Sequence, residues 1–409
     1  MAVCFLGLVS VTGCNKNESA QELFEKAQKD EAARNWEAAI ADYSQVIENN
    51  PRSPGAYIDR AIAERALEQY DASIADDNRA LEINPADVYA YQGLGFANLY
   101  KKQFNNALTD FLHSIRLNPT NALSYYGVGK VDYRQMNFGD AIINFNHSIS
   151  LDGTFPDAYF YRGLAKYKNG NLVDAIADYT KAIDLDPKYE LAYVNRGIAE
   201  TNFDHAILDY NRAIELDPTD SVAYVDRGIA KSKSGDGKGA IADYDKGLQI
   251  NPKDFIAYDH RASAILRSSN LVAAIADYGK SIELNATNWL AYNGRAWAEF
   301  LKNDPDTSIN DATRSIQLNT NYGYAYGTSG WAKYSKGDVA GAVEDCKKST
   351  KLLQINSTGH LCDQGLLDFI AGDYKNAIAD WQAAVQQDPE TKFEFQPWIE
   401  KARAKLNAK

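Results

Sequence analysis

Two histidines, His113 and His147, stand 34 residues apart, and two cysteines, Cys346 and Cys362, stand 16 apart. Imidazole pairs hold transition metals and thiol pairs form disulfides, so these residues are the first candidates for chemistry. Read at the equivalent position of the other repeats, however, the histidine column continues as Arg79, Lys181, Lys246, Lys280 and Lys348. Such a column is an exposed basic surface. Packed helices about 8–10 Å apart also leave two such imidazoles short of joint coordination. No metal and no cofactor is expected. For the cysteines two readings stay open, a disulfide in an exported chain or two small buried hydrophobes.

A second constellation pairs arginine with aspartate. Arg60, Arg162, Arg196, Arg227, Arg261 and Arg295 are followed by Asp76, Asp178, Asp209, Asp243, Asp277 and Asp311. A guanidinium at a helix seam needs such a partner, because a buried unpaired charge is expensive. Aspartate also stands there without arginine at Asp42, Asp110, Asp345 and Asp380, so a structural ladder is expected rather than a reactive site. No zinc-ligand spacing, phosphate-cradling glycine loop, nucleophile elbow or HExxH motif occurs. The carboxylates follow a period and mark no unique pair for acid–base work, so no catalytic residue is assigned and the chain reads as a non-enzyme.

A formal net charge of −12 and a pI near 5.0 exclude a nucleic-acid partner, which would require clustered Lys and Arg. Residues 1–13 form a short apolar stretch, too brief for a bilayer-spanning helix, and polar residues 15–19 follow as a tether. Val11-Thr12-Gly13-Cys14 resembles the lipobox of bacterial lipoproteins, which implies a cleaved leader over 1–13 and lipidation of Cys14. No Lys or Arg stands near Met1, where such a leader carries one, and a start codon upstream of Met1 is the expected reason. The resemblance implies a lipid anchor in the cell envelope. Asn15 in place of the inner-membrane Asp favours the outer membrane.

The elements that position these residues are repeated. Pro51, Pro85 and Pro119, then Pro187, Pro218, Pro252 and Pro389, fall mostly at 34 residues or near multiples of it. A tyrosine recurs at Tyr57, Tyr91, Tyr125, Tyr159, Tyr193, Tyr224, Tyr258, Tyr292 and Tyr326, each followed four residues later by Gly or Ala. Apolar residues keep a 3.6 period, as in Ala175-Ile176, Tyr179 and Ala182-Ile183, so each unit reads as two amphipathic helices closed by proline. The sixth unit lacks three residues near 201–203, almost one helical turn.

Asp157-Ala158-Tyr159-Phe160-Tyr161-Arg162-Gly163, then Ala175-Ile176-Ala177-Asp178-Tyr179 and Asp186-Pro187, resemble the tetratricopeptide repeat, and the resemblance covers residues 20–390. It implies an all-α fold, a right-handed superhelical solenoid of about eleven antiparallel helix pairs. A capping helix is expected over 391–409, opened by Pro397, with Trp398, Ile399, Ala402 and Leu406 on its apolar face.

In that family the residues two, five, nine and twelve positions into a unit face a concave groove. Here they include Tyr89, Phe96, Leu99, Tyr126, Tyr133, Phe160, Leu164 and Tyr167, and a second group of Trp297, Phe300, Trp331 and Tyr334. Exposed aromatics in a concavity anchor partners. The groove lacks the basic-plus-asparagine set with which family members hold a peptide's terminal carboxylate. The resemblance therefore implies a scaffold for a protein or peptide partner, with an internal apolar or aromatic segment as ligand. The alternatives are a glycan-associated envelope protein, or a cytosolic adaptor if Cys14 carries no lipid.

Overall fold

The computed structural model describes residues 20–408, and every regular element among them is a helix. Cys14, the leader and the tether lie outside the described residues. The chain forms two compact units divided between Ala199 and Glu200.

Unit 1 contains α1 (Ala20–Ala32), α2 (Trp36–Asn49), α3 (Pro54–Ala66), α4 (Tyr70–Ile83), α5 (Val88–Tyr100) and α6 (Phe104–Leu117). It continues with α7 (Ala122–Arg134), α8 (Phe138–Leu151), α9 (Pro156–Lys168), α10 (Leu172–Leu185) and α11 (Glu190–Ala199). Unit 2 contains α12 (Phe203–Leu216), α13 (Ser221–Lys233), α14 (Gly237–Ile250), α15 (Phe255–Arg267), α16 (Leu271–Leu284) and α17 (Trp289–Leu301). It ends with α18 (Pro305–Leu318), α19 (Gly323–Ser335), α20 (Val339–Leu352), α21 (Thr358–Ala371), α22 (Tyr374–Gln387), a 3-10 turn (Pro389–Thr391) and α23 (Lys392–Asn407).

Local chemistry sets the boundaries. Asp87, Asn121, Asp220, Asp254 and Asn288 each cap a first helix by accepting two backbone N–H bonds. Most second helices stop at Asn or Asp, in extended geometry at Asn84, Asp186 and Asp217, each before a proline, which disfavours a helical residue ahead of it. Between the helices of a pair the backbone passes through the left-handed region at Arg34, Glu68, Lys102, Met136 and Gly170, then at Gly235, Ser269, Asn303 and Gly337. Within each series the interval is 34 residues. The three-residue gap removes this step from the sixth repeat: α11 has ten residues where α9 has thirteen, and no residue between Gly170 and Gly235 has positive φ.

Most pairs close around a ring placed against a glycine or alanine, whereas Asp77, Ala312 and Cys346 take the ring's place in three of them. A Cβ on Gly163 would stand 2.7 Å from the Tyr179 ring, and one on Gly228 would stand 2.6 Å from that of Tyr244. Both rings are fully enclosed. Successive first helices also touch, as α3, α5, α7 and α9 do in unit 1 and α15, α17, α19 and α21 in unit 2. In each unit the first helices therefore form the inner layer.

The arginine ladder is structural. Arg261 grips Asp277 of the following helix through Nε at 2.7 Å and Nη2 at 2.8 Å, while Nη1 reaches Asp245 of the preceding pair at 2.6 Å. Arg60 joins Asp76 and Ser44 in the same way, Arg162 joins Asp178 and Asn146, and Arg227 joins Asp243 and Asn211. Each guanidinium also lies over the tyrosine one turn earlier, 5.3 Å from the ring centroid for Arg162 over Tyr159. One side chain thereby fastens three helices.

Candidate functional site

The inner layer of unit 2 holds the second aromatic group, and part of the chain is already seated on it. Phe395 of α23 packs 6.3 Å from Trp297 and 5.7 Å from Trp331, and Trp398 lies 5.1 Å from Trp331 and 5.9 Å from Tyr334. Glu390 pairs with Arg267 at the end of α15. This anchoring explains why Pro397 does not open the capping helix. Phe395 is buried a half-turn before it, so α23 starts at Lys392 and carries Pro397 inside, at the loss of one backbone donor. Ile399 and Ala402 are buried as expected of the cap, while Leu406 is exposed.

Trp331 is 1% exposed, and its indole N–H donates to Asp363 at 2.9 Å. It is therefore a core residue and not an accessible anchor. Trp297, Phe300 and Tyr334 are half-buried in the same cluster. Beside them a cavity of about 550 Å³ is lined by Tyr278, Tyr322, Asp363 and Glu394, among others. Burial raises the Asp363 carboxyl to about 7, against the hydrogen bonds from Ser349 and Trp331, and raises Glu394 to about 7.

In unit 1 the first aromatic group divides by depth. Leu99, Tyr126 and Phe160 are buried, which corrects their assignment as contact residues: Tyr126 is enclosed by Phe96, Phe145, Phe155 and Tyr161, and Phe160 by Tyr161, Tyr179 and Tyr189. Phe96, Tyr133, Leu164 and Tyr167 are half-buried, and Tyr89 is 65% exposed. Tyr100, also exposed, joins them.

The sequence pattern missed Lys130. It is buried on α7 with its Nζ 5.3 Å from the Tyr100 ring, 5.3 Å from Tyr126 and 4.8 Å from Tyr161. Its 34-residue column reads Phe96, Lys130, Leu164, and one lysine among apolar residues was the available signal.

The remaining candidates have structural roles. His113 stacks on Tyr91 at 5.1 Å and His147 packs on Tyr125 at 5.4 Å. Among the described residues no group of three His, Cys, Asp or Glu could hold a metal. Cys346 and Cys362 are free, buried thiols, and burial pushes both thiols far up, so the disulfide reading is set aside. No described helix is long and apolar enough to cross a membrane.

An inner layer of first helices, stapled pair to pair and bearing aromatics, defines the class: an all-α array of tetratricopeptide-type helix pairs. Residues 24–88 and 156–189 match models of the tetratricopeptide repeat, so the chain carries such repeats. No curated protein sequence matches it. Among solved structures, a tetratricopeptide repeat protein from Parabacteroides merdae is 18% identical, with 59% of this chain and 98% of that one covered and a TM-score of 0.47. Yeast Tom70 is 15% identical over 96% of this chain and 97% of that one, with a TM-score of 0.41. YrrB, described as having an unusual peptide-binding site, is 21% identical over 44% of this chain and 95% of its own, with a TM-score of 0.39.

Proposed function

We propose that the protein is a scaffold that holds a partner polypeptide on the inner layer of unit 1 and is tethered to the bacterial envelope, outer membrane side, by a lipid on Cys14. One observation carries the binding reading. The equivalent layer of unit 2 already accepts a polypeptide, the chain's own segment around Glu390 and Phe395. Unit 1 presents Tyr89, Tyr100, Tyr133 and Tyr167 on its first helices with no described element seated over them in that way. Exposed aromatic and apolar surface on a packed helical layer stabilises a bound segment by desolvation at little ordering cost to the scaffold. The tether is supported by the residues Val11–Cys14 and the polar stretch after them.

The test is site-specific photo-crosslinking in cells, with benzoylphenylalanine placed at Tyr89, Tyr133 or Tyr167 and, as control, at Val173, which is 79% exposed on the second helix α10. Crosslinks to one polypeptide from the first three positions and not from the control are expected. Equal crosslinking from Val173, or none from the inner layer, sinks the reading. Incorporation of labelled palmitate, abolished by Cys14→Ala, tests the tether separately.

A further inference from the structure

Arg134 and Arg267 are the last residues of the first helices α7 and α15, and so hold the same position in the repeat. In unit 2 Arg267 is paired with Glu390, an acidic residue inside the seated segment. In unit 1 Arg134 has no acidic partner among the described residues. With Lys102 and Lys130 it lines a cavity of about 320 Å³, whose other walls are Leu99, Tyr100 and Phe104.

Lys130 is 6% exposed and aimed at this cavity, and no described oxygen accepts a hydrogen bond from its Nζ. Three tyrosine rings face the ammonium, but a ring face stabilises the charge without satisfying its three donors. Asp157, whose charge acts on Lys130, is itself engaged, accepting the Tyr189 hydroxyl at 2.6 Å. Desolvation, opposed by Asp157 and helped by Arg134, lowers the ammonium to about 8. A buried cation beside two more, in a chain of net charge −12, is the arrangement an incoming anion completes.

We infer that this cavity receives the carboxylate of an acidic side chain on the partner polypeptide, with a neighbouring aromatic residue packing on Tyr100 and Phe104. The Glu390–Arg267 contact supplies the template, an internal glutamate near aromatic residues rather than a chain terminus. The inference rests on the reading of unit 1 as a polypeptide-binding face and specifies its chemistry.

The probes are two peptides blocked at both ends, acetyl-Ala-Glu-Ala-Phe-Ala-amide and its Gln counterpart, titrated against the full chain by calorimetry. In parallel the Lys130 ε-methylene is followed by NMR as pH is raised. The Glu peptide binds at least tenfold tighter than the Gln peptide, the preference falls below twofold in Lys130→Met, and the Lys130 midpoint rises by at least one pH unit on saturation. Equal binding of the two peptides, an unmoved midpoint, or a preference retained in Lys130→Met overturns the carboxylate site. Crosslinks from Tyr89, Tyr133 and Tyr167 beside such a result leave the scaffold reading standing, so the two can fail separately.

Discussion

Phe395 meets Trp331 edge-on, with ring centroids 5.7 Å apart and planes at 64°. The contact joins the end of the chain to an inner helix of unit 2, and Trp297, Phe369, Trp381 and Trp398 complete the cluster around it. Phe395→Ala removes a fully packed ring from a site whose other walls are rigid aromatics. Such a site collapses poorly, so a loss of about 3 kcal/mol is expected. Because a repeat array transmits stability mainly between neighbours, amide exchange accelerates in α19 and α23 while α5 is unchanged. Exchange that rises uniformly along the chain contradicts this localisation.

Arg261 provides the test of the staple. Its partner Asp277 is 9% exposed, so Arg261→Met strands a nearly buried carboxylate and unties Asp245 of the preceding pair. A loss of about 2 kcal/mol in urea unfolding follows, and the added Asp277→Asn change costs little once the arginine is gone. A double-mutant cycle with a coupling near zero would show the ion pair to be idle.

Met136 and Gly170 occupy the same turn in successive repeats, at φ of 63° and 82°. The left-handed conformation brings Cβ close to the following carbonyl in any residue except glycine. Met136 is also 75% exposed, so little packing is lost with its side chain. Met136→Gly is expected to raise stability by up to about 1 kcal/mol, and Gly170→Ala to lower it by a similar amount. Thermal unfolding of the two variants should therefore move in opposite directions.

The helix pairs were legible because tyrosine, small residue and proline recur in phase, and a period survives even where a single helix is ambiguous. Depth within the inner layer was not. Trp331 and Trp297 stand at equivalent repeat positions, yet the first is enclosed and the second half-buried. What covers Trp331 is Phe395 and Trp398, brought there by tertiary folding that no local spacing encodes. Lys130 was hidden for a related reason. Its surroundings come from Tyr100, Tyr126 and Tyr161 on three successive first helices, and only the packing of those helices side by side makes them one enclosure. By sequence Pro397 suits a helix start, where its missing donor is most easily accommodated, whereas the burial of Phe395 holds the turn before it helical.

Asp363 should impose a pH dependence on unit 2. Its carboxyl is raised to about 7 by burial, while Trp331 and Ser349 donate to its two oxygens at 2.9 and 2.6 Å. The folded state therefore keeps a proton through the window between about pH 4, where the unfolded carboxyl ionises, and pH 7, and the unfolded chain does not. With fewer protons bound when unfolded, this group's contribution to stability falls as pH rises across that window and is constant above it. Asp363→Asn cannot ionise and retains an acceptor for the Trp331 indole, so the variant lacks this slope. Urea unfolding of both proteins at pH 5, 6, 7 and 8, followed by tryptophan fluorescence, should show the variant gaining on the wild type by about 2 kcal/mol between the extremes. A stability difference that stays constant with pH would mean that the Asp363 carboxyl ionises in the folded protein as readily as in water, and that its burial carries no proton.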